Sequence, residues 1–273
     1  MTTTETSATR ADSEFAVREV RPRPAADAAT ITWRNLLNMR RNPQLLVFAT
    51  IQPIVFVLMF RYVFGGAITV PGVDHYVDYL MPGIFVQTVV FGSLTTGVGL
   101  ADDLQKGLIE RFRSLPMARS AVLVGRTLAD LVRNIFVVLL MSVMGFVVGW
   151  RIHTNVLALL AGLALVVAFA YSLSWVFAIV GMLAPDGETA QAASFPLLAP
   201  LVFASSAFVG LKSMPGWLQA FASRQPVSIV VDAVRALTFG GPTRTYLIQS
   251  IAWIIGIIAV CAPLAVAQYR KTV

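Results

Sequence analysis

Charged residues are scarce in this sequence. Asp, Glu, Lys and Arg together make up 13% of its 273 residues, whereas soluble globular domains contain roughly 25%. Apolar and aromatic residues make up 57%, and the mean hydropathy is +0.74. This composition excludes an ordinary soluble protein and indicates a chain that crosses a membrane several times.

Cysteine and histidine are almost absent. Cys261 is the one cysteine, so the chain forms no internal disulfide and offers a metal ion no second thiolate. His75 and His153 fall in separate predicted loops rather than as a pair at helical spacing. We therefore predict no metal site and no redox chemistry.

Motifs of hydrolytic enzymes are also missing. The sequence contains neither a G-x-S-x-G nucleophile motif nor a G-x-x-x-x-G-K-[ST] phosphate loop. No predicted span carries an acid near its midpoint, as a proton- or sodium-coupled carrier usually needs. The energy for any uphill transport must therefore come from another chain.

Six apolar segments have the length expected of membrane-spanning helices, about 20 residues each. They cover residues 44–64, 79–100, 122–150, 156–183, 192–211 and 246–266. We predict an all-α membrane protein with one domain, residues 31–273. Residues 1–30, with Pro22 and Pro24, are predicted to form a disordered cytosolic tail.

A short amphipathic segment precedes the first span. In residues 31–42, Trp33, Leu36 and Leu37 recur at helical spacing, and Pro43 follows. This pattern predicts a helix lying in the membrane interface. A polar lead-in to the first span is the alternative.

The distribution of basic residues predicts the orientation. Residues 107–119, GLIERFRSLPMAR, form a basic loop between the second and third spans, and the loop at 65–78 has no Lys or Arg. Because Lys and Arg accumulate in cytoplasmic loops, both termini are predicted to be cytosolic. The same rule explains most of the +7 net charge, so we predict no nucleic-acid partner.

Two polar patterns lie within the spans. Arg126, Asp130 and Arg133 follow at i, i+4 and i+7, which predicts a structural triad with one carboxylate between two guanidinium groups. The second span is rich in small and hydroxyl residues, for which close helix packing is favoured over lining a substrate path. These residues are Thr88, Gly92, Ser93, Thr95, Thr96, Gly97 and Gly99.

Several segments together resemble the membrane subunits of type-2 ABC exporters, in particular the daunorubicin-resistance-like permeases. Residues 110–116, ERFRSLP, look like the family's E-R-[LF]-R-x-L-P element. Residues 214–218, MPGWL, then 225–227 and 231–235, VDAVR, look like its M-P-x-W-L, N-P and V-D-A-[LV]-R elements. Gln225 stands where the family usually has Asn.

The resemblance implies six spans, an interfacial elbow helix and a loop that docks into a separate ATPase subunit. The implied ATPase-coupling residues are Leu108, Glu110, Arg111, Phe112, Arg113, Leu115 and Pro116. It also implies short re-entrant helices before the last span, marked by Pro215, Trp217, Pro226, Asp232 and Arg235. An ordinary basic loop is the alternative for the coupling segment.

The implied function is export of a hydrophobic compound, such as a drug, a polyketide or a lipid, across the cell membrane. The implied partners are a cytosolic ABC ATPase, which would bind ATP and Mg²⁺, and a second permease subunit, identical or related. This chain would itself hold no cofactor and no catalytic residue. A secondary carrier of a hydrophobic solute and a non-transporting assembly protein are the alternatives.

Overall fold

A computed structural model describes residues 23–41, 43–63, 75–107 and 119–272. Within these ranges the chain is helical with no β-strand, which confirms the all-α membrane fold. Four helices are long and apolar enough to span a membrane: α3 (Tyr76–Gln105), α4 (Arg119–Val148), α5 (Val156–Leu183) and α9 (Thr243–Thr272). We call the end of the bundle beside the α3–α4 loop the loop end, and the opposite end, where α3 begins, the cap end.

Helix α1 (Pro24–Arg41) is the predicted elbow helix, and it begins earlier than predicted. Residues 24–30 belong to this helix rather than to the predicted tail, because proline fits the first turn of a helix, where its missing N–H is not needed. Ile31 is buried against α4. Of the predicted apolar face, Trp33 is 64% exposed, whereas Leu36 and Leu37 are half-buried.

The two other predicted spans are shorter helices. The first is α2 (Pro43–Leu58), which continues as one π-helical turn (Met59–Val63). The fifth is α6 (Gly187–Phe203). Phe60 of the α2 segment stacks on Phe208, which follows α6, so both helices reach the cap end. Six passes are compatible with this path, but helix length and composition support only four of them, so six stays a prediction.

Side chains form hydrogen bonds with the backbone at both ends of helix α6. Asp186 accepts a hydrogen bond from Thr189 N at 2.7 Å, which caps the first turn. This bond holds the pKa of the Asp186 carboxyl below its usual value. At the other end, Gln225 Nε2 donates to the carbonyls of Leu201 and Ala204 at 2.9 and 3.0 Å. These bonds satisfy carbonyl groups that the helix itself leaves free.

The connection before the last helix folds into two short helices, as predicted. They are α7 (Gly216–Ala222) and α8 (Pro226–Phe239). Val230, Val231 and Val234 of α8 are fully buried in the main apolar core. Helix α8 is thus part of the bundle. Pro226, one of the residues that marked the predicted re-entrant helices, is its first residue.

Helix α3 lies at the centre of the bundle and packs most extensively on α5. The closest approach is at two glycines, because a Cβ atom at Gly181 would lie 2.7 Å from Gly97 Cα. Small residues at such a contact let two helix backbones meet. The predicted close packing of the second span is therefore confirmed at Gly97.

Candidate functional site

The predicted ATPase-coupling residues lie in the loop between α3 and α4, outside the residues that the structure describes. These residues are Leu108, Glu110, Arg111, Phe112, Arg113, Leu115 and Pro116. The structure does describe the helix ends on both sides of the loop. It therefore shows the ends of α3 and α4 that the loop connects.

A salt bridge joins the two helices that flank the loop. Arg126 of α4 pairs with Asp103 of α3. Gly99, one turn earlier on α3, leaves the space for this pair, because a Cβ atom there would overlap the Arg126 guanidinium group. The ends of α3 and α4 are thus held together directly below the loop.

Helices α1 and α6 also contact α3 and α4 at the loop end. Thr32 Oγ1 of α1 donates a hydrogen bond to Gly125 O of α4 at 3.1 Å. Gly187, at the start of α6, packs against the Asp102 carboxylate of α3. The loop end is therefore a junction of α1, α3, α4 and α6.

The predicted triad does not form as expected. Asp130 forms an ion pair with Arg133 at 3.1 Å and accepts a 2.5 Å hydrogen bond from Thr96 of α3. Arg126 pairs with Asp103 instead. The placement of one carboxylate between two arginines is therefore wrong, because α3 supplies a second carboxylate that spacing along α4 alone does not reveal.

Arg133 ties α4 to α3 near the middle of both helices. Its guanidinium group donates to Gly92 O at 2.6 Å and to the Thr95 hydroxyl. With the Asp130 ion pair, these bonds compensate the removal of a charge from water. Arg133 and Asp130 are both largely buried.

A second polar network surrounds Arg235 at the cap end. Arg235 donates to Asp232 Oδ1 at 3.0 Å, to Tyr79 O at 3.1 Å and to Ala207 O at 3.0 Å. Its guanidinium carbon lies 3.5 Å from the centre of the Tyr79 ring. Ser206 Oγ donates to Asp232 at 2.9 Å. One arginine of α8 thus binds α3 and the segment that follows α6.

The other predicted re-entrant residues have different surroundings. Pro226 is the first residue of α8, as expected for a helix start. Pro215 directly precedes α7. Trp217 is 75% exposed, so it makes little contact within this chain. An exposed tryptophan near a helix end is typical of a membrane interface.

The partners of these buried charges are the residues that sequence reasoning missed. They come from other elements than the charged residues they contact: Asp103 and Tyr79 contact Arg126 and Arg235, and Thr96 and Ser206 donate to Asp130 and Asp232. The available signal was the charged residue itself, since a charged residue in a membrane helix requires a partner. That rule predicts a partner without identifying it.

No group of three or more His, Cys, Asp or Glu side chains is arranged to bind a metal ion among the residues described. The polar groups found at the loop end and the cap end are instead bonded to each other. Their arrangement suits structural linkage between helices.

Comparison with known proteins places these features in a family. The sequence model of the family described as ABC-2 type transporter matches residues 27–239, from α1 through α8. The chain belongs to the ABC-2 type transporter family. This confirms the resemblance stated from the motifs.

Relatives of this ABC-2 family chain include drug-resistance permeases of bacteria. It is 34% identical over 253 residues to the "Daunorubicin resistance ABC transporter permease protein DrrB1" of Streptomyces coeruleorubidus, covering 91% of this chain and 88% of the relative. It is 29% identical over 242 residues to the "Probable doxorubicin resistance ABC transporter permease protein DrrC" of Mycobacterium tuberculosis, covering 88% and 87%. The chain therefore matches nearly the full length of membrane subunits of ABC transporters.

Proposed function

We propose that this chain is the permease subunit of an ABC exporter that moves a hydrophobic compound out of the cell. The observation that carries the proposal is the near-full-length match to permeases of drug-resistance ABC transporters. The proposed cargo is a drug, a polyketide or a lipid, and the names of those relatives refer to drug resistance. The site of action is the cell membrane.

The loop end faces the cytosol in this proposal. Helix α1 brings Arg34, Arg40 and Arg41 to this end, and Lys and Arg accumulate on the cytosolic side of membrane proteins. The chain termini then lie on that side too, since α1 starts there and α9 ends there beside Leu100 and Leu123.

The α3–α4 loop docks into a separate ATPase subunit that holds ATP and Mg²⁺. Glu110, Arg111 and Arg113 supply charges for the contact, and Leu108, Phe112 and Leu115 supply apolar anchors. Pro116 ends this contact segment. Closure of the ATPase on ATP moves the loop, and the junction of α1, α3, α4 and α6 transmits that movement into the membrane.

A second permease subunit, identical or related, packs against α6. This helix buries a narrow stripe that includes Ser194, Leu198 and Val202, while Phe195 and Leu197 on its other sides are exposed. Pro196 and Pro200 remove backbone hydrogen bonds within the helix. Free carbonyl groups are costly in lipid and are better satisfied beside protein.

Copurification tests the coupling contact. The full chain is expressed with a candidate ABC ATPase subunit from the same organism, and Glu110→Ala combined with Arg113→Ala is expected to reduce the recovered ATPase at least about tenfold, as expected for loss of buried charge contacts. Membrane insertion and thermal stability should not change.

The matched control combines Lys212→Ala with Arg224→Ala, which removes two exposed cations at the cap end. This control should retain the ATPase. Undiminished copurification after both loop substitutions would contradict the proposed docking. Uphill transport by the purified chain alone, without nucleotide, would instead support a secondary carrier.

A further inference from the structure

A basic pocket of about 360 Å³ lies at the loop end, between α1, α3 and α4. Its volume falls within the range of roughly 300–1,000 Å³ that small-molecule sites usually have. Three arginines line it, Arg34 and Arg41 of α1 and Arg126 of α4, together with the Asp103 carboxylate of α3. Three guanidinium groups beside one carboxylate favour an anionic ligand.

Helix α1 supplies most of the wall. Arg34, Asn38 and Arg41 follow at i, i+4 and i+7, so they share one face of this helix. Asn35 lines the pocket beside them, and each asparagine carries an amide that can donate hydrogen bonds. Arg34 and Arg41 are both exposed. A ligand can therefore reach these two guanidinium groups from outside the bundle.

Arg126 forms the inner wall of the pocket. Its Nη1 atom pairs with Asp103, and its side chain is 19% exposed. The Nε atom of the same group has no hydrogen-bond partner among the residues described. A guanidinium group has five N–H donors in a planar fork that matches the geometry of a phosphate. The pair with Asp103 therefore leaves donors for an anion.

The surroundings of the pocket favour a lipid over a free anion. Trp33, which directly precedes Arg34, is 64% exposed, and tryptophan is enriched at the level of the lipid headgroups. Leu37 adds an apolar side chain to the pocket wall. Basic residues on a helix that lies in the membrane interface attract anionic lipids. The pocket thus combines donors for a phosphate with apolar contacts for the chain attached to it.

We propose that this pocket binds the phosphate headgroup of an anionic phospholipid, which remains there as a structural lipid. Arg34, Arg41 and Arg126 bind the phosphate oxygens, and the acyl chains leave past Leu37 and Trp33. The lipid then links the elbow helix α1 to α3 and α4. This inference does not depend on the proposed export, because it requires only that the chain lies in a bilayer.

Lipid binding to the purified full-length chain tests the proposal. The chain is kept in a neutral detergent, and native mass spectrometry measures binding of phosphatidylglycerol and of phosphatidylcholine with the same acyl chains. Phosphatidylglycerol is expected to bind about tenfold more tightly, since of the two headgroups only this one carries a net charge. It should also raise the temperature of unfolding, because it binds the folded chain.

Inorganic phosphate distinguishes the two sources of the anion. At the same concentration as the lipid, it should not displace phosphatidylglycerol, because it has no acyl chain to contact Leu37 and Trp33. Displacement by inorganic phosphate as effective as that by unlabelled phosphatidylglycerol would assign the pocket to a free anion and overturn the proposal.

Two double variants with the same change in net charge then locate the site. Arg34→Gln combined with Arg41→Gln is expected to weaken phosphatidylglycerol binding about thirtyfold, the combined contribution of two cations beside an anionic headgroup. The control combines Arg40→Gln with Arg270→Gln, two exposed arginines at the same end that do not line the pocket. It should weaken binding less than about twofold, since surface charges further from the headgroup are screened by salt.

Thermal stability without added phosphatidylglycerol should be the same in both double variants, because all four side chains are exposed. Equal binding of the two phospholipids by the unmodified chain would overturn the proposal. An equal loss of binding in the two double variants would also overturn it, since the attraction would then belong to the whole basic surface. These measurements use neither ATPase nor nucleotide, so failure of the proposed docking appears in the copurification experiment alone.

Discussion

Arg235 illustrates how single residues hold this fold together. Asp232 and Arg235 occupy positions i and i+3 of α8, so their ion pair follows from the sequence. The bonds to Tyr79 O and Ala207 O do not, because they join segments far apart in the chain. A planar guanidinium group with several donors suits this arrangement, whereas an ammonium group does not.

Replacement of Arg235 is expected to destabilise the chain. Arg235→Ala leaves the largely buried Asp232 carboxylate unpaired, which costs about 3 kcal/mol. Arg235→Lys keeps the charge but loses the fork of donors, so it should cost less. The measurement is the free energy of unfolding in mixed detergent micelles.

Two controls accompany this measurement. Combining Arg235→Ala with Asp232→Ala should recover part of the loss, because the unpaired carboxylate is removed. Arg224→Ala changes an exposed arginine at the same end and should stay within about 0.5 kcal/mol of the unmodified chain. A loss at Arg235 no larger than that at Arg224 would mean that the network does not support the fold.

At the scale of secondary-structure elements, the contact between α1 and α4 joins the elbow helix to the bundle. It depends on Gly125, because a Cβ atom there would lie 2.6 Å from Ile31 Cβ and 2.8 Å from Ala28 O. Both neighbouring atoms are close to or part of the α1 backbone, so they cannot move aside without moving the helix. The contact therefore requires a residue without a side chain.

Gly125→Ala is expected to lower stability by about 1–3 kcal/mol, the usual cost of overpacking, and to expose α1 to trypsin at Arg34. Gly256→Ala in α9 is the matched control, since nothing lies within 4 Å of a Cβ atom at that position. It should be neutral or slightly stabilising. Thermal unfolding and the rate of tryptic cleavage measure the difference. Equal behaviour of the two variants would argue against a fixed elbow.

The positions of most helices could be predicted from the sequence. Their ends could not, because they depend on local capping interactions. Apolar length alone located α3, α5 and α9. The start of α6 was predicted too late, because Asp186 acts as its cap rather than as part of a longer loop. Similarly, Pro24 begins α1 rather than marking disorder. Gln52, Gln87 and Asn134 line one cavity, and this was not predicted, since only the packing of α2, α3 and α4 brings them together.

At the scale of the whole molecule, the exposed sides of α6 are the surface where we expect a second permease subunit to bind. Exposed apolar residues alone do not distinguish a protein neighbour from lipid, and α5 also carries exposed leucines such as Leu160. Helix α6 differs because it combines two internal prolines with an exposed Gln191. Polar groups of this kind favour protein over lipid. We therefore expect α6, and not α5, at the interface with the second permease.

The single cysteine of this chain makes that expectation testable by crosslinking. In a Cys261→Ser background, Phe195→Cys on α6 is expected to form a disulfide-linked product when the companion permease, or a second copy, carries a cysteine at the equivalent position. Leu160→Cys on α5 has the same exposure, 54%, and should form little product. The two positions are equally exposed within the chain, so the comparison does not depend on burial by the chain itself. A product from Leu160→Cys without one from Phe195→Cys would place the partner at α5 and contradict the expected interface.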